Sequence, residues 1–142
     1  MEKKLNVLLS DLVVEYHKLQ NFHWYVKGKS FFQLHSKLEE LYNGINKSID
    51  EVAESILIIG GKPLGSLKEF SANSKIKEEE NKYVSGEYIL KEISSDFEYF
   101  LKVIKEIKLE ADEKNEYIVS ALMDDLIKEF AKGIWMLKQS ME

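Results

Sequence analysis

Apolar side chains fall at Leu5, Leu9, Leu12, Tyr16, Leu19 and Val26 in steps of three and four, or the seven-residue gap those steps span, and His23 fills that gap. This spacing wraps one face of an α-helix and places His23 in its apolar seam. The first helix ends near Gly28. Ser30, with Gln33 three residues on, has the pattern of a capping box. It predicts a second helix from about residue 31 to 59, stopped by Gly60-Gly61-Lys62-Pro63. The apolar stripe of that helix centres on Leu38, Ile45, Ile49, Val52 and Ile56. Residues 60–84 form the one long connection, with a short helix expected within SLKEFSANS. Ser85 is positioned to cap a third helix running to about residue 110, with Phe97, Phe100, Leu101 and Ile104 in its seam. Asp112 or Asn115 is expected to open a fourth, in which Ile118, Leu122, Leu126, Phe130 and Ile134 form the seam and the end falls near Gln139.

Two short links and one long crossover describe an all-α four-helix bundle of ferritin-like connectivity, formed by residues 1–142 as a single domain. Composition agrees: 44% of residues are hydrophobic, 32% are charged, and one proline stands against seven glycines. The absence of cysteine excludes disulfides and thiolate metal sites, favours a cytoplasmic protein, and leaves imidazole and carboxylate as the available metal donors. A formal net charge of −5 disfavours nucleic acid as a default partner, since phosphate binding needs clustered Lys and Arg. KIKEEENK, residues 75–82, reads as a solvated loop. No run of about 18 uncharged apolar residues is present, so no membrane-spanning helix is expected.

His23 lies five residues before Gly28 and His35 five after Ser30. Folding the two helices antiparallel therefore brings both imidazoles to one level, roughly 7 Å from the turn. Glu39 follows one helical turn beyond His35, and Asp50 and Glu54 form a second pair four residues apart. Asp50 is fifteen residues from His35. That is about 22 Å along a helix, whereas ligands of one ion converge to bonds of about 2 Å. A single chain cannot bring both groups onto one ion. On a helical wheel His35, Glu39, Asp50 and Glu54 fall roughly 60° to 160° off the apolar stripe, beside Tyr42, Asn46, Ala53 and Leu57. A long helix with a second, metal-competent face points to an isologous dimer, in which the histidine end of one helix meets the carboxylate end of its antiparallel twin.

The run N-F-H-W, with His23 and His35 twelve apart, Asp50 fifteen further and Glu54 four beyond within DEVAESI, resembles the Dps family of bacterial mini-ferritins. The likeness extends over the GGKP crossover and the IWML segment around Trp135. It implies a homododecamer built from twofold dimers, with ferroxidase sites at the twofold interfaces that oxidise Fe(II) with hydrogen peroxide or dioxygen. Ferric mineral is then stored inside, protecting against oxidative stress. It implies two irons per site, with zinc as a possible occupant, held by His23 and His35 of one subunit and Asp50 and Glu54 of its neighbour. Glu39 is a further candidate ligand, and Trp24, adjacent to His23, a candidate electron donor.

Three departures from the family pattern stand out. Ser55 occupies the position after the glutamate where arginine is frequent. Ala121 replaces an aspartate of the threefold iron-uptake pore, leaving Asp112, Glu113 and Glu116 as the pore candidates. Only MEKK precedes the first helix, in place of a lysine-rich extension, so DNA binding is not expected at neutral pH. Ser55 and Ala121 keep open an alternative, a structural or interaction bundle with a decayed metal site; a DNA-compacting protein is the disfavoured third. His17 has no matching partner and reads as a packing residue.

Overall fold

The computed structural model describes residues 1–142. Helix α1 spans Glu2–Tyr25 and ends where Val26 turns to extended backbone (φ −65°, ψ 139°). Strand β1 is Val26–Lys27, and Gly28, at φ 114°, takes the left-handed turn into α2, Phe31–Ile58. The capping box expected at Ser30 does not form. Ser30 sits in a turn (φ −95°, ψ 18°), and the first turn of α2 is instead held by backbone bonds from Phe31 N–H to the Gly28 carbonyl and from Leu34 N–H to the Ser30 carbonyl.

The far end of α2 closes as its glycines predict. Gly60 adopts φ 85°, its N–H donates to the Leu57 carbonyl, and the Gly61 N–H donates to that of Ile56, a Schellman arrangement. The short helix in the crossover is α3, Leu67–Asn73, and the reciprocal capping box lies here, between Ser66 and Glu69. Strand β2, Val84–Ser85, pairs in parallel with β1 and ties the start of α4 to the α1–α2 turn. Helix α4 is Gly86–Glu113, with the Ser85 hydroxyl accepting from Tyr88 N–H at 3.2 Å as anticipated.

Helix α5 is Tyr117–Ser140, and neither Asp112 nor Asn115 opens it. Asp112 lies within the last turn of α4. Asn115, at φ 57°, is the left-handed residue of a second Schellman ending, in which Glu116 N–H donates to the Ala111 carbonyl. An asparagine read as a start signal is therefore a stop signal, because its short polar side chain tolerates the left-handed conformation.

The helices pack as two antiparallel hairpins, α1 with α2 and α4 with α5, and the crossover carrying α3 runs along α1. All four long helices contribute to one apolar core, and the Phe97, Phe100 and Phe130 rings interlock where α4 meets α5. Two polar nodes interrupt that core. Asp11, fully buried, accepts from the Ser74 hydroxyl at 2.9 Å, Lys75 N–H at 2.6 Å and the Tyr99 hydroxyl at 2.6 Å, joining α1, the crossover and α4. About two α-turns along, Lys18 is buried and ion-paired to Asp96 at 2.8 Å, beside a fully buried Glu15 whose carboxyl oxygens have no hydrogen-bond partner. Burial first, then the Asp96 charge, holds the Glu15 carboxyl well above its ordinary range.

Two stability predictions follow from these nodes. Asp11→Ala leaves three donors without their acceptor and is expected to cost about 3 kcal/mol, read as a lower midpoint in thermal or urea unfolding. For Glu15 the native state retains a proton that the unfolded chain releases. Its stabilising contribution is therefore complete below the unfolded value near 4.5 and is lost as pH rises through the raised folded value. Glu15→Gln, a neutral isostere, is expected to raise the melting temperature at pH 8 and to change it little at pH 4.

Candidate metal centre

The α1–α2 turn brings His23 and His35 together through their own main chains. His23 Nδ1 lies 2.6 Å from the His35 carbonyl oxygen, and His35 Nδ1 lies 2.8 Å from that of His23. A carbonyl oxygen only accepts, so each Nδ1 carries the hydrogen and donates it. The tautomer is thereby fixed in both rings, and each Nε2 keeps its lone pair for a metal. The two imidazoles stack 3.7 Å apart at 13°, and Phe31 stacks on the other side of His35 at 5.0 Å. Tyr42 meets His23 edge-on at 5.5 Å. Glu39 Oε1 lies 3.7 Å from His23 Nε2. An ion bound at about 2.1 Å by both atoms fits between them with a small side-chain adjustment.

The second half of the predicted ligand set is elsewhere. Asp50 and Glu54 are exposed near the opposite end of α2, which runs unbroken between them and His35, so the helical rise keeps the two groups about 22 Å apart. No three His, Asp or Glu side chains of the chain converge on a point that could hold a metal ion. The ion pair on this stretch joins Lys47 to Glu51 and leaves Asp50 and Glu54 to solvent. Ser55 is turned into the bundle, where its hydroxyl donates to the Val52 carbonyl at 2.7 Å.

Trp24 points outward and is 61% exposed, as is Trp135 at 60%. His17 is exposed with its ring against Tyr16. Of the pore candidates, Asp112 is engaged by the Ser120 hydroxyl and lies 3.6 Å from Lys108, whose ammonium also binds Asp124 at 2.9 Å. Glu113 and Ala121 are exposed and Glu116 is half-buried. Sequence spacing alone did not identify the carbonyls that orient the imidazoles, nor Phe31 and Tyr42 as ring partners. The last two were detectable only as an aromatic at the first position of α2 and one on the same helix face as His35.

Imidazole nitrogens with one nearby carboxylate form a mixed nitrogen and oxygen donor set suited to first-row divalent metals. The chain matches the family described as a ferritin-like domain over residues 2–142. It is 40% identical over 134 residues to "DNA protection during starvation protein 2" of Bacillus anthracis, covering 94% of this chain and 91% of that one. Among solved structures, Dps from Staphylococcus aureus superposes with a TM-score of 0.95 at 38% identity, over 99% of this chain and 94% of that one. A Dps protein from Vibrio cholerae O1, described as a member of a broad superfamily of ferritin-like diiron-carboxylate proteins, gives 0.95 at 33% identity, over 99% and 88%. With the family model matched over residues 2–142, relatives at up to 40% identity and Dps structures superposing at a TM-score of 0.95, the chain belongs to the Dps proteins of the ferritin-like family.

Proposed function

We propose that the protein is an iron-oxidising, iron-storing mini-ferritin of the cytoplasm, and that its ferroxidase sites are shared between subunits. The observation that carries this reading is the reciprocal hydrogen bonding of His23 and His35, which aims two metal-ready Nε2 atoms from a half-site with no partner carboxylate pair in its own chain. Iron(II) is the substrate. In an isologous dimer the α2 helices run antiparallel, so His23, His35 and Glu39 of one subunit face Asp50 and Glu54 of the other, and symmetry builds the site twice. Carboxylate oxygens favour the ferric product, and the imidazoles favour capture of the ferrous ion. Hydrogen peroxide takes two electrons, one from each of two ferrous ions, and so releases no hydroxyl radical; dioxygen is the alternative oxidant. Zinc accepts the same donors and competes for the site. Twelve subunits enclosing a cavity supply the storage volume.

The shared site is tested by co-assembly. Variants lacking both imidazoles (His23→Ala, His35→Ala) or both carboxylates (Asp50→Ala, Glu54→Ala) are each expected to be nearly inactive in peroxide-driven Fe(II) oxidation. Refolding or co-expressing the two together restores about one quarter of the wild-type sites for random pairing, because each mixed dimer recovers one intact site of its two. Mixing preassembled particles restores nothing. Absorbance of the ferric product and light-scattering mass, recorded on the same sample, check activity and assembly together. Mixed particles without recovered activity would mean that the ligands lie within one subunit.

The relative from Bacillus anthracis is named for DNA protection. This chain has a formal charge of −5, and of the adjacent Lys3 and Lys4 in its first turn Lys4 is paired to Glu110 at 2.8 Å, so protection by iron removal is the reading its charge supports. The assembled protein is expected not to retard duplex DNA at physiological salt and neutral pH. A gel shift at sub-micromolar protein that weakens steeply with salt would contradict this.

A further inference from the structure

We infer that the groove between α1 and α4 is a binding site for a small nucleoside phosphate, held by a quartet of lysines over an apolar floor. It lies apart from the metal centre. Its walls come from α1, the crossover and α4, with no residue of α2 or α5, so a dimer joined through α2 leaves it open.

The cavity holds about 440 Å³, within the range of small-molecule sites. Lys3 and Lys4 reach it from α1, Lys75 from the crossover and Lys102 from α4, and the one carboxylate on its wall is that of Glu106. Lys4 is shared with Glu110 at 2.8 Å, whereas Lys3, Lys75 and Lys102 have no acidic partner. Three unneutralised ammoniums thus ring one concavity in a chain whose formal charge is −5. Like charges gathered there repel one another, and a bound polyanion removes that repulsion. Between the lysines the floor is apolar, made by Val7 of α1 and by Val103, Ile107 and the Tyr99 ring of α4. Tyr99, Val103 and Ile107 recur every four residues, so α4 presents them on one face.

The support beneath the groove is rigid. Fully buried Asp11 accepts from Lys75 N–H and from the Tyr99 hydroxyl, each at 2.6 Å, which fixes the backbone carrying one lysine against the aromatic wall. Lysine ammoniums bind phosphate oxygens as point charges. An apolar floor with an aromatic ring favours a flat, largely apolar body, and the Glu106 carboxylate can accept from a sugar hydroxyl. Together these groups select a phosphorylated ligand that carries a ring, the chemistry of a nucleotide, over phosphate alone. A rigid duplex is too wide to enter the groove.

Equilibrium dialysis and isothermal titration of the iron-free assembled protein with ATP, in the absence of divalent metal, test the site. Saturable binding of about one ATP per chain is expected at physiological salt, weakening as salt rises. Adenosine, which lacks the charge, and tripolyphosphate, which lacks the ring, are each expected to bind at least about tenfold more weakly. Lys75→Ala combined with Lys102→Ala is expected to weaken ATP binding about tenfold, with particle mass and melting temperature close to wild type. Lys27→Ala combined with Lys91→Ala, at lysines beside the start of α4, is expected to leave it unchanged. Photolabelling the wild type with an azido-ATP needs no variant, and the label is expected at Val7, Tyr99 or Val103, with excess ATP protecting. No saturable binding, equal binding of tripolyphosphate, ATP binding retained by the Lys75 and Lys102 variant or lost equally in the Lys27 and Lys91 variant, or a label confined to other segments would overturn the assignment. The ferroxidase reading stands apart from every one of these outcomes, since no iron is present.

Discussion

Fifteen residues of unbroken helix separate His35 from Asp50, and the rest of the functional arrangement depends on that rigid spacer. An α-helix rises about 1.5 Å per residue and does not fold back, so the two halves of the donor set stay about 22 Å apart in every conformation that keeps α2 intact. What holds α2 intact is its burial between α1 and α5 and the closure of both ends. The Gly28 turn and backbone bonds fix one end, and the Schellman ending at Gly60 fixes the other. A kink near Ser48 would bring the halves nearer, but α2 is continuous there and the buried Ser48 hydroxyl bonds back to the Gly44 carbonyl of the same helix.

The hairpin end differs in kind from the carboxylate end. At His23 and His35 the main chain of each residue orients the side chain of the other, so imidazole position is coupled to the fold of the turn. Strand β1, one residue past α1, is paired with β2 at the start of α4, so the crossover also anchors this turn. Asp11 ties the middle of the crossover, through Ser74 and Lys75, to α1 and α4. Asp50 and Glu54 have no comparable support within the chain: they are exposed, and residue 55 is a buried serine that offers them no cation. The imidazole end is preorganised within the chain and the carboxylate end is not.

Much of this was legible in the sequence, and the exceptions have identifiable causes. Apolar spacing located the long helices because each buries one face, and the crossover helix fell within the segment SLKEFSANS expected to hold one. Capping was misread where polar residues have two roles. Ser30 is not a cap because Gly28 sets a turn that supplies backbone acceptors, and Asn115 ends α4 because it accepts a positive φ. The pairing of His23 with His35 at one level was legible through spacing, and the distance of Asp50 and Glu54 from them through helical rise. The imidazole tautomers were not, since they depend on main-chain carbonyls twelve residues apart that meet only after the hairpin closes. The buried Glu15, Lys18 and Asp96 cluster was also invisible, because its members sit at positions a helical wheel assigns to either face.

The proposed half-site on each subunit would make chemistry and assembly one equilibrium. A metal bound through both halves binds the dimer and not the separated chain, so its affinity adds to the stability of the twofold contact, and forming that contact raises affinity for the metal by the same factor. An unassembled subunit presents two imidazoles and one exposed carboxylate, enough to encounter a ferrous ion but without the second carboxylate group that favours the ferric state. On that proposal oxidation is confined to subunits that already have a neighbour, where the proposed assembly would enclose the insoluble product. In a site contained within one bundle, by contrast, the same reaction would proceed in any folded subunit, enclosed or not.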